Sequence, residues 1–264
     1  MLTFVVPVKS KSVTSNWFKF SQIFERTLKS ICNQTDSNFK VLVVCHEIPI
    51  VDYTHENLHF VHPDFHPPNK DYISPKEFLI KKRIDKGNKI KLGVEYASKI
   101  FNTDYIMLVD SDDFVSNRIA SFVNRKGNEL PGWYIGKGYL SLNWKSILVV
   151  AKKNFNHLCG SSVIVKPNVI KHFFDKGKID LYFDHRLTTL DSNIELKNIP
   201  FPGGIYNMGN GENIHMSYQN VKDFSYHGNW ISFHNIRRLY YRFRRYQFRI
   251  ITPRLRKEFN FYPA

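Results

Sequence analysis

Buried-strand patterns and helix patterns alternate along the first part of this chain. Short runs of β-branched, aromatic and aliphatic residues, typical of strands buried in a sheet, lie at 2–6, 41–45, 58–61 and 105–109. Apolar residues recur at helical spacing over 20–31 and 76–100. This order of elements predicts an α/β fold with a mostly parallel sheet covered by helices. The stretch 131–230 is less regular, and we expect short strands and long loops there.

The composition agrees with a folded domain inside a cell. Hydrophobic residues make up 42% of the chain, which is enough to build a core. No apolar run is long enough for a transmembrane helix, and the first residues do not resemble a secretory signal. The three cysteines, Cys32, Cys45 and Cys159, are widely spaced and are expected to be reduced thiols. We therefore expect a cytoplasmic protein.

Positive charge is concentrated near the end of the chain. The formal net charge is +15, which favours an acidic partner such as a phosphorylated substrate, an anionic membrane surface or nucleic acid. Between 230 and 257 there are eight arginines and one lysine, without any acidic residue. We expect 230–264 to form a basic, amphipathic helical extension after a domain at 1–229, with one stripe of apolar residues and one of arginines. The apolar stripe comprises Ile236, Leu239, Tyr240, Phe243, Tyr246 and Ile250, and the arginine stripe comprises Arg238, Arg242, Arg245 and Arg249.

Such a helix suits an anionic membrane interface, and the protein would then be peripheral at the inner face of a membrane. The alternative is a helix that docks on the domain and leaves its basic face in solvent.

An acidic turn follows the strand pattern at 105–109. Asp110, Asp112 and Asp113 stand within four residues of one another, around Ser111. Ligands of parallel α/β sheets gather at the carboxyl ends of the strands. Carboxylate oxygens at such a place suit Mg²⁺ or Mn²⁺ bound together with substrate phosphates. The alternative is a solvated turn or a helix N-cap.

Several segments, taken in order, resemble glycosyltransferases of the GT-A fold, in particular the inverting enzymes of family 2. The acidic turn matches the DxD motif of that family. The segments are Phe4 to Val8, Thr27 to Thr35, Val41 to Val44, Lys86 to Ala97 and Asp110 to Asp113. The resemblance spans about residues 2–215. It implies a Rossmann-like sheet and transfer of a sugar from a nucleotide-diphosphate donor, with UDP as the usual nucleotide.

The resemblance also implies roles for individual residues. Asp112 would coordinate a divalent cation, Mn²⁺ or Mg²⁺, that bridges the diphosphate, and Asp110 would contact the ribose or the cation through water. Asp113 would lie at the edge of the site, and the alternative is a purely structural role. Pro7 ends the first strand beside the donor. Gly160 would let the backbone approach the donor sugar, although a glycine there also suits an ordinary turn.

The segment after the second strand departs from the family. Members often carry an Asp-Asp pair there, whereas this chain has Cys45-His46-Glu47. Glu47 is the candidate substitute for binding the base or ribose, and the alternative is a solvated loop at His46 and Glu47. Lys86 and Lys89, with Lys82 and Arg83 nearby, are candidates to meet the diphosphate or the sugar, with Asp85 as a further nucleotide contact. The alternative for these cations is a solvated basic helix face.

Inverting transfer needs a base that accepts the proton of the acceptor hydroxyl. The family supplies a carboxylate some 70 residues after its metal motif, and Asp184 is our candidate for that role. Asp180 and Asp191 are alternatives, and an N-capping role for Asp184 is compatible with catalysis. His215 is a candidate extra metal ligand, the alternative being a loop or core histidine.

These observations predict a metal-dependent glycosyltransferase that acts on a glycan or lipid-linked acceptor in polysaccharide biosynthesis. Two rival interpretations stay open. A nucleic-acid-binding protein would explain the charge but not the acidic turn after a βαβ strand, so no nucleic-acid partner is expected. A catalytically inactive GT-A scaffold would explain the departure at Cys45-His46.

Overall fold

Strands and helices alternate in the first half of the structure, as the apolar pattern predicts. This computed structural model describes residues 1–69, 71, 73–127, 129–142, 147–174, 181–190, 194–208 and 246–262. The helices are α1 (Trp17–Ile31), α2 (Pro75–Ile100), α3 (Ile119–Lys126) and α4 (Pro253–Phe259), with 3₁₀ helices at Lys11–Val13, Phe155–His157 and Pro167–Phe173. The strands are β1 (Leu2–Pro7), β2 (Phe39–Val44), β3 (Leu58–Val61), β4 (Tyr105–Leu108), β5 (Phe114–Val115), β6 (Gly132–Tyr134), β7 (Gly138–Leu142), β8 (Ile147–Ala151), β9 (Val163–Val165), β10 (Thr189–Leu190), β11 (Ile194–Glu195), β12 (Lys197–Asn198), β13 (Gly204–Met208) and β14 (Tyr246–Ile250).

The central sheet is mostly parallel, and the predicted α/β fold is confirmed. Within the described residues its strand order is β12-β6-β9-β4-β1-β2-β3. Strands β3, β2, β1 and β4 run parallel to one another, and β9 joins β4 in the antiparallel direction. The carboxyl ends of β1, β2 and β4 therefore lie side by side at one edge of the sheet. The acidic turn begins at that edge.

One face of this sheet packs against α1. Phe4 of β1 and Val41 of β2 are paired in register, so their side chains point to the same face of the sheet. They share a buried cluster with Phe20, Phe24 and Leu28 of α1, all five without solvent exposure. The helical spacing of these α1 residues places them on one stripe of the helix. Burial of this stripe holds α1 against the sheet.

The other face packs against α2, the long helix that carries most of the basic candidates. Ser74 and Glu77 form a reciprocal capping box that fixes the helix start. Val5 of β1 and Ile90 of α2 belong to one buried cluster. A Cβ atom at Gly93 would lie 2.5 Å from Cγ1 of Val5, so the helix and the strand approach closely because this residue is glycine. The close contact sets the position of the α2 side chains relative to the strand ends.

A second sheet corrects part of the prediction for the C-terminal extension. Its strand order is β14-β8-β7-β13-β5, and β14 pairs with β8 in the antiparallel direction. The predicted helix is therefore wrong at Tyr246–Ile250, which forms a strand because β8 offers it a hydrogen-bonding edge. Helical structure is present at α4, whose Leu255 and Phe259 are buried in a cluster with Phe114. Residues 230–245 lie outside the described part, and the domain boundary at 229 stays a prediction.

Within the described ranges, no helix combines the length and the apolar character that a membrane span needs.

Candidate functional site

The acidic turn contains one carboxylate without solvent exposure and two that line a cleft. Asp113 is fully buried. Its Oδ2 accepts hydrogen bonds from the Ser161 hydroxyl at 2.6 Å and from the Cys159 thiol at 3.2 Å, and its Oδ1 accepts from the backbone N–H of Asn207 at 3.1 Å. Burial raises the pKa of Asp113, and the neighbouring carboxylates of Asp112 and Asp110 add to the effect. Asp113 thus ties the turn to two distant segments.

Asp110 faces the cleft beside Lys86. The Lys86 ammonium donates to Oδ1 of Asp110 at 2.5 Å, and the backbone N–H of Asp110 donates to the Ser161 hydroxyl at 2.8 Å. Burial acts to lower the pKa of Lys86, but the attraction of Asp110 and the other carboxylates of the turn raises it. A Cβ atom at Gly160 would lie only 2.6 Å from Oδ2 of Asp110. Glycine at 160 is therefore what leaves room for this carboxylate.

A cleft of about 400 Å³ opens at the carboxyl edge of the parallel strands. It brings together six of the predicted site residues from four separate segments of the chain. They are Pro7, Lys86, Lys89, Asp110, Asp112 and Gly160. The cleft is also lined by Lys9, Lys82, Arg83, Asp85, Tyr182, His185 and Tyr206.

The cleft contains more cations than carboxylates. Lys9 stands two residues after the end of β1. Burial lowers its pKa to about 8, with the attraction of Asp112 opposing the shift and Lys82 adding to it. The Lys9 ammonium lies 4.7 Å from the centre of the Phe20 ring. Arg83 lies over the ring of Tyr182, 5.2 Å from its centre. Basic side chains in fixed positions beside the carboxylates of Asp110 and Asp112 suit a ligand that carries phosphates and a divalent cation.

Lys89 and Asp85 form a buried network at the end of β1. The Lys89 ammonium is 1% exposed and donates to the Val8 carbonyl at 2.8 Å and to Oδ2 of Asp85 at 2.7 Å. Nε2 of His46 lies 2.8 Å from Oδ1 of Asp85. Burial lowers the pKa of Lys89, and Asp85 opposes that shift. The charge of Lys89 is thus compensated inside the protein and fixes the strand end that lines the cleft.

Glu47 fastens the loop that follows β1. Its carboxylate accepts from the Ser10 hydroxyl at 3.0 Å and from the backbone N–H of Lys11 at 3.1 Å. Glu47 is not among the described residues that line the cleft. Its neighbour His46 contacts Asp85, which lines the cleft. The segment Cys45-His46-Glu47 therefore holds residues of the cleft and of the loop after β1 in place.

The segment that carries Asp184 and His185 forms the irregular side of the cleft. Both carboxylate oxygens of Asp184 accept from the Arg186 guanidinium, at 2.7 and 2.6 Å, and these bonds lower the pKa of Asp184. Asp184 is not among the described cleft residues, whereas its neighbour His185 is. The predicted ligand His215 and the alternative bases Asp180 and Asp191 lie outside the described residues.

Lys9, His185 and Tyr206 are among the cleft residues that escaped the sequence prediction. Lys9 could have been predicted, because it stands two residues after the end of the buried strand β1, at the same edge of the sheet as Asp110. Tyr206 lies in the middle of β13. Burial raises its pKa, and the negative charge of Asp113 raises it further. Neither Tyr206 nor His185 stands in a motif. Only the packing of their segments brings them to the cleft.

The donor set of the turn fits a divalent cation that binds together with phosphate. Asp110 and Asp112 provide hard oxygen atoms in one cleft, and Asp112 is 7% exposed. No group of three or more His, Cys, Asp or Glu residues within the described ranges encloses a metal site. Mg²⁺ and Mn²⁺ commonly use one or two carboxylates and complete their coordination with water and substrate phosphates. The two aspartates therefore fit a substrate-assisted site better than a closed one.

Comparisons with known proteins find similarity among solved structures. No protein-family model matches the chain, and no curated protein matches its sequence. Among solved structures, the chain is similar to the crystal structure of S. aureus TarS 1-349, with 12% sequence identity and a TM-score of 0.43. The similarity covers 78% of this chain and 60% of that one, so the chain spans less than two thirds of the length of TarS 1-349.

Proposed function

We propose that the protein is a metal-dependent glycosyltransferase. It would move a sugar, with inversion, from a nucleotide-diphosphate donor to a hydroxyl of a glycan or lipid-linked acceptor in polysaccharide biosynthesis. The observation that carries the proposal is the cleft at the carboxyl edge of β1 and β4. There Asp110 and Asp112 lie among Lys9, Lys82 and Lys86, within about 400 Å³.

The chemistry of the donor explains this mixture of charges. Asp112 and Asp110 would hold the divalent cation, which supplies Lewis-acid stabilisation of the charge that develops on the departing diphosphate. Lys9, Lys82 and Arg83 would bind phosphate oxygens that the cation does not cover. The ion pair with Lys86 holds Asp110 in place. Gly160 would let the donor sugar approach the backbone beside Asp110, and Pro7 would border the nucleotide at the end of β1.

The C-terminal segment supports a membrane-proximal acceptor. Phe248 and Ile250 of β14 are 64% and 73% exposed, with Arg249 exposed between them. Arg254 and Lys257 of α4 are exposed, while the apolar side of that helix is buried. Exposed aromatic and aliphatic side chains beside arginine suit the headgroup layer of an anionic bilayer. We propose that this surface holds the enzyme at the inner face of a membrane.

The direct test measures binding of nucleoside diphosphates in the presence of Mn²⁺, with the melting temperature of the protein as the readout. We expect UDP, or another nucleoside diphosphate, to raise the melting temperature only when Mn²⁺ or Mg²⁺ is present, because a ligand that binds the folded state stabilises it. Asp112→Asn should abolish this shift. It should also lower hydrolysis of the matching nucleotide sugar by at least ~100-fold, since it removes stabilisation of the leaving group.

Asp64→Asn is the matched control, because Asp64 is exposed and is not a cleft residue. The control should retain both the shift and the hydrolysis. An Asp112→Asn protein with unchanged binding and activity would remove the metal assignment. Stabilisation by oligonucleotides but by no nucleoside diphosphate would favour the nucleic-acid-binding alternative. Binding without any turnover would favour an inactive scaffold.

A further inference from the structure

His185 occupies a well-anchored position in the cleft. The ring of its neighbour Phe183 stacks on Phe173, with centres 5.1 Å apart, and the backbone N–H of Asp184 donates to the Phe173 carbonyl at 2.8 Å. On the other side, the Asn156 amide donates to the Arg186 carbonyl at 3.1 Å. These contacts fix the backbone on both sides of His185. The half-buried imidazole therefore has a defined place among the cleft side chains.

One hydrogen bond defines which imidazole nitrogen carries the proton. Nδ1 of His185 lies 2.6 Å from the backbone carbonyl oxygen of Asn156. A carbonyl only accepts, so Nδ1 must be the donor and must carry the hydrogen. In the neutral ring, Nε2 then has the lone pair. No described residue makes a hydrogen bond to Nε2, so this nitrogen is available to a ligand in the cleft.

The surroundings keep the ring neutral near pH 7. Burial lowers the pKa of His185 below its ordinary value of 6.5. The hydrogen bond to Asn156 and the attraction of Asp110 and Asp184 oppose this shift, and Lys86 adds to it. A neutral imidazole with a free lone pair is the form that accepts protons.

The neighbouring carboxylate is less suited to that task. Both oxygens of Asp184 are engaged by Arg186, and these bonds lower the pKa of Asp184. A base that is already neutralised by a guanidinium accepts a proton poorly. Asp184 also stands outside the set of described cleft residues.

We propose that His185, through Nε2, is the general base that activates the acceptor hydroxyl. The assignment rests on the proposed function. The acceptor oxygen would attack the anomeric carbon of the donor sugar, and its proton would pass to Nε2. The bond from the anomeric carbon to the diphosphate oxygen would break, and its electron pair would leave with the nucleoside diphosphate. The resulting imidazolium would later return the proton to solvent. Asp184 then acts as a positioning residue that holds Arg186 and the backbone beside the base.

His185→Asn tests the assignment, because the asparagine amide retains a donor to the Asn156 carbonyl but lacks the basic nitrogen. Its Mn²⁺-dependent thermal shift with UDP, GDP, CDP or dTDP should match that of the wild type. Hydrolysis of the matching nucleotide sugar, with water as acceptor, should fall by ~10²–10⁴-fold, the usual contribution of a general base. Wild-type hydrolysis should also fall as the pH drops through the His185 pKa, and the variant should lose this acidic limb. His66→Gln, at an exposed histidine, is the inert control.

A second measurement does not depend on turnover. Two-bond ¹⁵N–¹H correlation spectra, with His185→Asn used to assign the signal, should show His185 protonated at Nδ1 alone at neutral pH. Protonation at Nε2 would overturn the proposal. Hydrolysis by His185→Asn within tenfold of the wild type would overturn it as well, as would a larger loss in Asp184→Asn with binding intact. If no nucleoside diphosphate binds the wild type, the proposed function falls and the assignment of His185 falls with it.

Discussion

The two sides of the cleft are built in different ways. The βαβ half (residues 1–126) consists of regular strands and helices with shared buried clusters on both faces of the sheet. The cleft wall (155–174 and 181–187) has only two 3₁₀ helices, the strand β9 and an isolated bridge between Phe174 and Phe183. The βαβ half carries Lys86, Asp110 and Asp112, whereas the cleft wall carries His185.

The two regions should therefore respond differently to substitution: a change in the βαβ half should affect protein stability, and a change in the cleft wall should affect the chemical step. Buried side chains of the βαβ half belong to elements that also form the core, so their loss should destabilise the protein. Side chains of the cleft wall are fixed by a few aromatic and backbone contacts. Their loss should misplace a reacting group while the fold persists. The predictions below compare the two regions, from the largest expected effect on stability to the smallest.

The largest effect is expected in the core of the βαβ half. Phe24→Ala should lower the free energy of unfolding by about 3–5 kcal/mol, because it leaves a cavity in a fully buried cluster. Phe18→Ala on the same helix should change it by less than about 0.5 kcal/mol, since Phe18 is 61% exposed. Urea denaturation measures both values. Similar losses in the two variants would contradict the assigned face of α1.

The buried charge network should give the next largest effect. Lys89→Met would leave the Asp85 carboxylate without its ammonium partner, and the free energy of unfolding should fall by about 3 kcal/mol. The matched control is Lys99→Met, which breaks an exposed pair with Glu95 on the same helix and should cost at most about 0.5 kcal/mol. If Lys89→Met were neutral in urea denaturation but weakened nucleotide binding, Lys89 would belong with the ligand-binding cations.

In the cleft wall, Phe183→Ala should cost only about 1–2 kcal/mol of unfolding free energy, because the ring is half-buried. It removes the stack on Phe173 that anchors His185. Hydrolysis of the nucleotide sugar should therefore fall by about 10–100-fold, as expected for a misplaced reacting group. Nucleoside diphosphate binding should persist. A stability loss as large as that of Phe24→Ala would show that the cleft wall belongs to the core.

The smallest effect is expected at the surface. Arg254→Ser should leave the unfolding free energy nearly unchanged, since the side chain is exposed. Binding to phosphatidylserine vesicles should weaken by roughly fivefold, which corresponds to about 1 kcal/mol per basic residue near the membrane. Lys99→Ser is the control for a general loss of charge. Equal weakening in both variants in a vesicle sedimentation assay would show that the α4 surface has no special role.

The main elements from β1 to β4 follow closely from local sequence patterns. The predicted strand at 58–61 matches β3 residue for residue, and the helix expected at 76–100 begins one residue earlier, at Pro75. These patterns are reliable because each helix buries one face, which repeats with the helical period. The central strands are buried on both faces, which gives each of them a short continuous apolar run. The placement of Asp110 and Asp112 in a cleft follows from the same logic, since parallel strands end at a common edge.

Other features have no such local cause. Tyr246, Phe248 and Ile250 alternate with polar residues, which is a strand pattern, but they also continue a longer helical spacing. The antiparallel edge of β8, about 100 residues earlier, decides between the two.

By itself, the sequence determined the order of strands and helices from β1 to β4 and the position of an acidic turn after a buried strand. The tertiary structure decided which carboxylate of that turn is structural and which histidine reaches the cleft. Asp112 and Asp113 are adjacent and chemically identical, yet Ser161, Cys159 and Asn207 hydrogen-bond Asp113 in the interior, whereas Asp112 lines the cleft. The physical reason is that secondary structure is set by neighbours along the chain. The role of a polar side chain depends on hydrogen-bond partners that folding brings from distant segments.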